Sequence, residues 1–269
     1  MIGVHEQPPV PGWGASAIGT LRRFVLSYYS LGLLFVGWEV VTQLEIIRPA
    51  FLPSLSSVLR QFFLLAEDGS LVQPISTSLY RSATGLGIAV AIGATLGLAA
   101  ARSELARVIW EPLVSIGFPL PKVAVIPILI LWFGIYDNSK IALVVFTCVF
   151  PVAMSVEAAV AGLPTVIQWS ARSLGASRST LLRTVVLPAA LPGLMAGIRV
   201  ALPLALLATF TAEMVGGGGG FGASLMYAQR LFDAPTVFVY LLLMLLFGLL
   251  ADRAFLFVRR RLVGWSDQL

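Results

Sequence analysis

Apolar runs of membrane-crossing length alternate with short polar breaks along most of this 269-residue chain. A helix needs about 20 mostly apolar residues to cross the hydrocarbon core. On that rule the runs at 24–44, 83–101, 123–135, 141–161, 189–215 and 237–258 predict about six spans. The 123–135 run is short. It extends backward through 114–120 as a kinked element around Pro119 and Pro121, since proline lacks a backbone donor and crowds the preceding turn. In the more polar 45–80 stretch, Leu55, Val58, Leu59 and Phe62 recur at helical spacing after Pro53-Ser54, which predicts a short amphipathic helix on the membrane surface. In the second run Ala89, Gly93, Gly97 and Ala101 fall four apart, a small-residue stripe that lets another helix come close. Residues 102–122 read as a connection carrying Arg102, Glu104, Arg107, Glu111 and three prolines.

Composition fixes the class. The chain is 58% hydrophobic and 12% charged, with a mean hydropathy of +0.92, whereas soluble domains carry about 25% charged residues. The expectation is an all-α polytopic membrane bundle: a disordered cytoplasmic N-terminus over 1–20 and a single transmembrane domain over 21–269. The opening residues lack the basic-then-apolar order of a cleaved signal peptide, so the first run reads as a retained span. The net charge of +5 comes from arginines in short loops rather than from a basic polar face, which argues for membrane topology and against nucleic acid. With the N-terminus inside, Arg22, Arg23, Arg102, Arg107, Arg172, Arg178, Arg183, Arg259, Arg260 and Arg261 share one side. Arg48, Arg60, Arg81, Lys140 and Arg230 share the other. The bias places both termini and the 165–188 loop in the cytoplasm. One cysteine (Cys148) and one histidine (His5) leave no material for a disulfide framework or a metal cluster.

The 165–203 stretch is a polar loop rich in small residues and arginine inside an oily chain, followed by re-entry into the membrane. Pro164-Thr165 can start a helix containing Trp169 and Ala171; Gly175-Ala176 interrupts it; Ser177 can cap a second short helix; Pro188 and Pro192 mark re-entry. Small residues (Ser170, Ala171, Ser173, Gly175, Ala176) admit a partner close to the backbone, and Arg172, Arg178 and Arg183 supply charge. The spacing resembles the E-A-A-x(3)-G-x(9)-I-x-L-P pattern of permease subunits of bacterial ABC importers. The matching residues are Trp169-Ser170-Ala171, Gly175 and Val185-Val186-Leu187-Pro188, with Leu174 to Arg178 (LGASR) and Leu-Pro-x-x-x-Pro-Gly over 187–193. The leading acid is Trp169 here and its neighbour is Ser170, so that position brings no carboxylate to a docking contact. The run 127–134 (PILILWFG), then Asn138-Ser139-Lys140-Ile141 and Ala212-Glu213-Met214, is similar to the nitrate/sulfonate/taurine/bicarbonate branch. The resemblance covers about 50–265.

The resemblance implies a type I importer permease fold and a division of labour. Two permease copies, expected as a homodimer, form the pore in the bacterial inner membrane. Two cytoplasmic ATPases dock on the 164–188 coupling loop through Trp169, Ser170, Ala171, Arg172, Leu174, Gly175, Ala176, Ser177, Arg178, Leu187 and Pro188. A periplasmic or lipid-anchored binding protein delivers a small solute, expected to be anionic. ATP and Mg belong to the partner ATPase, and no cofactor is expected in this chain. Consistent with that, the glycine run 216–220 has no G-x-x-x-x-G-K-[ST] frame. It reads either as a flexible outer loop or as a gate or close contact with the binding protein. Charges in or near spans (Glu39, Glu157, Arg199, Glu213, Asp252, Arg253) are functional candidates because burying charge in lipid is costly. Arg199 either attracts an anion or pairs with Glu157; Thr209 and Thr211 either line a passage or bond helix carbonyls. Arg199, Thr209, Thr211 and Glu213 are the candidate pathway residues. The competing reading is an ion-coupled secondary transporter, which leaves the loop pattern unexplained. A membrane enzyme has too few nucleophiles and carboxylate clusters to work with.

Overall fold

The computed structural model describes residues 17–264, with side chains from Tyr29 onward except Leu31. Residues 1–16, most of the segment expected to be disordered, lie outside the described residues. The elements are all helical: α1 Ala17–Gln43, α2 Leu55–Glu67, α3 Val72–Arg102, α4 Glu104–Gly117, α5 Lys122–Phe133, α6 Asp137–Ala161, α7 Thr165–Ser173, α8 Arg178–Leu181, α9 Leu187–Gly216, α10 Phe221–Arg230 and α11 Ala234–Val263. A π-helical turn, Leu182–Val186, joins α8 to α9. Among the described residues α3, α6, α8–α9 and α11 are each long and apolar enough to cross a membrane, and α4 with α5 adds one bent span. The expected first span falls on α1, whose early side chains lie outside the described residues.

The bundle is built on close backbone approach. α3 and α6 run parallel, and α9 packs antiparallel against α6. On α3, Gly85 faces Val144, Gly93 faces Val149 and Val152, and Gly97 faces Ala153 and Val156. On α9, Gly193 faces Ser155 and Ala159, while Gly197 faces Val152 and Ser155. Lipid supplies no hydrophobic drive between helices, so cohesion rests on such contact. Gly97→Leu should therefore sharply lower the yield of monodisperse protein in detergent, because a Cβ there meets Ala153 backbone. Gly87→Leu, on an open face of the same helix, should leave that yield unchanged.

Three boundaries differ from the sequence reading. First, α3 starts at Val72, not near 83. Its first turns (VQPISTSLYRS) looked too polar for a span, but Ser78, Arg81 and Ser82 turn inward and are buried. Second, the supposed connection 102–122 contains α4, capped by Ser103, which accepts from the Ala106 amide at 3.3 Å. Trp110 of α4 stacks on Phe150 of α6 at 5.8 Å. The expected kink around Pro119 and Pro121 is present, with α4 and α5 meeting at 106°. Third, Pro188 does not break the chain's helical course. The Leu187 amide reaches back to the Leu182 carbonyl, and this wider turn accommodates a proline without ending the helix. The amphipathic α2 forms as expected, capped by Ser54, whose hydroxyl accepts from the Ser57 amide at 3.2 Å. Its Val58 is buried against α11 rather than left only to a membrane surface. Glu39 has a structural role: its carboxylate accepts from the Leu55 amide at 2.7 Å and the Ser56 hydroxyl at 3.0 Å, tying α1 to the start of α2.

Candidate functional site: an exposed elbow and a buried ion hub

The elbow lies between α6 and α9. α7 closes with a Schellman turn: the Ala176 amide donates to the Ala171 carbonyl at 3.0 Å and the Gly175 amide to the Arg172 carbonyl at 2.9 Å. This geometry puts Gly175 at φ +83°, where a side chain is strained. Ser177 then caps α8, accepting from the Thr180 amide at 3.1 Å. The helix–glycine turn–helix read from sequence is thus present.

α7 buries none of its residues. Trp169 is 63% exposed and Leu174 86% exposed, with Val166 and Ile167 beside them. Ser170, Arg172, Gly175, Ser177, Arg178, Leu187 and Pro188 are also exposed, and Ala171 and Ala176 are half-buried. All the expected coupling residues therefore lie on an accessible surface. Val166, Ile167, Trp169 and Leu174 thus present exposed apolar side chains on a capped turn. Where the family pattern has an acid, this chain presents the indole of Trp169. The elbow shares its end of the bundle with the C-terminal ends of α3 and α11, since Phe255 and Val263 pack with Met195 near the start of α9.

The opposite end holds the ion hub. Arg81 of α3, 1% exposed, reaches Asp137 of α6 at 2.7 Å and Glu213 of α9 at 2.9 Å. Its remaining donors go to the Gly218 carbonyl at 2.7 Å and the Gly219 carbonyl at 2.8 Å. Glu213 is fully buried and also accepts from the Ser78 hydroxyl at 2.8 Å and the Gly222 amide at 3.0 Å. The Phe221 amide in turn donates to Ser78 at 2.8 Å. Lys140, also buried, donates to the Tyr136 carbonyl at 3.1 Å and to the Ile135 carbonyl. Two cations and two carboxylates balance. Such a cluster survives burial because each charge has partners and hydrogen bonds.

The hub corrects two expectations. Arg81 and Lys140, assigned to outer loops, are interior. The glycine run is not a loose loop: residues 217–220 all have positive φ, and two of their carbonyls are held by Arg81. A Cβ on Gly220 would run into the Glu213 carboxylate. Arg81 had a sequence signal. The small-residue register at 101, 97, 93 and 89 continues back through Gly85 to position 81, so that residue shares the buried stripe.

The four candidate pathway residues part company. Glu213 belongs to the hub. Thr209 is fully buried and its hydroxyl donates to the Ala205 carbonyl at 2.9 Å. Arg199 meets Asp252 of α11 at 3.9 Å, not Glu157; both side chains are about half exposed. Asp252 thus faces α9 rather than pairing locally with Arg253. Thr211 is half-buried and lines a cavity of about 410 Å³ between the α4–α5 bend, α6 and α9, with Lys122 on its wall.

A bundle of apolar helices with an exposed elbow at one end and a buried ionic cluster at the other defines a polytopic membrane protein. The chain belongs to the family of binding-protein-dependent transport system inner membrane components, whose model matches residues 72–264. It is 32% identical over 253 residues to the taurine transport system permease protein TauC of Escherichia coli (strain K12), covering 92% of each chain. It is 29% identical over 230 residues to the putative aliphatic sulfonates transport permease protein SsuC of Bacillus subtilis (strain 168), covering 86% of this chain and 83% of that one. The riboflavin transport system permease protein RibX of Chloroflexus aurantiacus is 32% identical over 237 residues, 88% of each. In fold, the chain matches the inward-facing methionine ABC transporter MetNI with a TM-score of 0.63 at 22% identity, over 72% of this chain and 96% of that one. It is a multi-pass inner-membrane permease of the type I importer fold, in the sulfonate and taurine branch.

Proposed function

We propose that this chain is the membrane half of an ATP-driven importer for a small organic anion, sulfonate-like in its charged group. A separate cytoplasmic ATPase drives it through the 165–188 elbow, and an external binding protein supplies the solute. Two copies form the pore. ATP binding favours one arrangement of the ATPases over the other, and the elbow transmits that difference to α6 and α9, between which it is spliced. The observation that carries the reading is the elbow itself: a glycine-set turn with Trp169 and Leu174 exposed, and nothing among the described residues to cover them. The basic residues gathered at that end, Arg102, Arg172, Arg178 and Arg183 with Arg259 to Arg261, favour a cytoplasmic position. The sulfonate group is supported by the relatives named for taurine and aliphatic sulfonates, and the net negative charge by the aliphatic sulfonates alone. The riboflavin relative is why the charged group, and not the fold, must be tested.

The test is copurification and energetics. A tagged chain expressed with its ATPase and binding protein should bring down the ATPase, and uptake should stop when ATP is depleted while an ion gradient is maintained. Uptake that continues on the gradient alone would make the chain an ion-coupled transporter. In the assembled protein, Ser177→Cys should react with an impermeant thiol reagent only from the cytoplasmic side; labelling from outside inverts the topology and removes the drive.

A further inference from the structure

Lys122 sits where the chain turns between α4 and α5, at mid-depth of the bundle. Its ammonium lies 5.4 and 5.7 Å from the ring centroids of Phe146 and Phe150, near the middle of α6. Three backbone carbonyls hold it, those of Gly117 (2.7 Å), Phe118 (2.6 Å) and Leu120 (3.0 Å). Carbonyl dipoles fix the position of a cation but do not cancel its charge. The other deep basic groups stand beside carboxylates: Arg81 with Asp137 and Glu213, Arg199 with Asp252, and Lys140 near Asp137 and Glu213. Lys122 has no carboxylate in an ion pair among the described residues. A charge left unpaired at this depth is costly and marks a functional position.

Lys122 is also one of the residues lining a cavity that carries Thr147 and Thr211. The rest of that wall is apolar, including Leu204, Leu207 and Ala208, and no acidic residue lines it. Each threonine donates to its own helix, to Leu143 at 2.7 Å and to Leu207 at 2.8 Å. A hydroxyl in that position can swing its hydrogen to a ligand. Lys122 is also the first residue of α5, so the positive end of that helix adds to the potential. At about 410 Å³ the space suits a small organic ion.

The geometry points to this cavity as a solute subsite in the permease itself, selective for an organic monoanion with a short apolar body, with Lys122 as its charge-recognising residue. This rests on the importer reading above and adds a specificity that the binding protein does not supply. A zwitterion would place its ammonium in a wall that offers a cation and no carboxylate. Ethanesulfonate and taurine, which differ by that one ammonium, separate the two cases.

Leu207, on the rim, is 62% exposed, and the single native thiol, Cys148, is buried. Leu207→Cys therefore offers an accessible thiol in the purified permease–ATPase complex without binding protein. Millimolar ethanesulfonate should slow its reaction with a sulfonate-bearing methanethiosulfonate, and taurine should not. Lys122→Gln keeps N–H donors for the carbonyls and removes the charge. It should lower the ratio of anionic to neutral reagent rates at position 207 about tenfold, the effect of removing one positive charge beside the cavity, and ethanesulfonate uptake by a similar factor. Lys122→Arg should retain both. A purely structural lysine predicts an unchanged rate ratio in Lys122→Gln. That result overturns the proposal, as does equal protection by taurine. If Lys122→Gln does not accumulate, the protection pattern in the Leu207→Cys chain decides alone. Loss of ATPase copurification from the unsubstituted chain would sink the importer reading instead, and leaves the labelling result readable.

Discussion

Arg81→Met should cost the protein more stability than any other single change in its outer half. The substitution keeps roughly the stem and volume but strips Glu213 and Asp137 of their cation, and leaves the Gly218 and Gly219 carbonyls without the donor they now have. Breaking a buried pair from one side costs about 3–5 kcal/mol, since the remaining charge stays buried. At about 2–4 °C per kcal/mol for a chain of this size, the apparent melting temperature in detergent should fall by about 6–20 °C. A second change separates pairing from mere packing. Glu213→Gln in the Arg81→Met background removes the stranded carboxylate while keeping an acceptor for Ser78. The double variant should recover part of the loss, so the two changes should be strongly non-additive. Additive losses in thermal-shift measurements would mean that Arg81 and Glu213 do not act as a unit. The same hub explains why the glycine run is ordered: its carbonyls are ligands of an arginine, and its positive φ values put them there.

The second large effect is at the other end of the bundle and leaves stability nearly intact. Gly175→Val should insert and accumulate normally but lose ATPase association, with ATP-driven uptake falling by at least about tenfold. The left-handed conformation at φ +83° costs an L-residue about 1–2 kcal/mol, and more with a β-branched side chain. The Schellman turn then reopens, and the face carrying Trp169 and Leu174 tilts relative to α8. Gly175→Asn should be far milder, since asparagine tolerates that region. Pull-down of the ATPase and uptake into vesicles, each normalised to permease amount, read the difference. Equal binding by the valine and glycine forms would show that the turn's geometry does not matter for docking.

Much of this was legible because local chemistry enforced it. Pro119 and Pro121 lack the donors that would carry a straight helix through 118–121. Ser54 and Ser177 each stand before a helix and cap it. Gly175 ends α7 because few other residues accept its φ. The exposure of Trp169 and Leu174 was implied by a loop too polar and too small for a lipid-facing or core segment. Other features depended on partners far along the chain. Ser78 and Arg81 made the first turns of α3 look like a polar loop. They are buried only because Glu213, Asp137 and the glycine carbonyls come to meet them from 56 or more residues away. Pro188 marked membrane re-entry after the loop, and the π turn before it carries the helix through that point. On paper Arg199 either attracted an anion or paired with Glu157, and the packing of α9 on α11 brought it to Asp252 instead.

The sequence by itself determined the class of this protein: a helical membrane bundle, its glycine-turned elbow and the place of its bend, because hydropathy, proline geometry and glycine φ act within a few residues. Tertiary structure alone decided which charges pair and which is left over. A charge's state in a low-dielectric interior depends on what lies within a few ångströms in space, and along this chain those neighbours are separated by whole helices. Lys122 is the clearest case, a residue indistinguishable in sequence from a loop lysine until the folded bundle sets it in a cavity wall without a carboxylate.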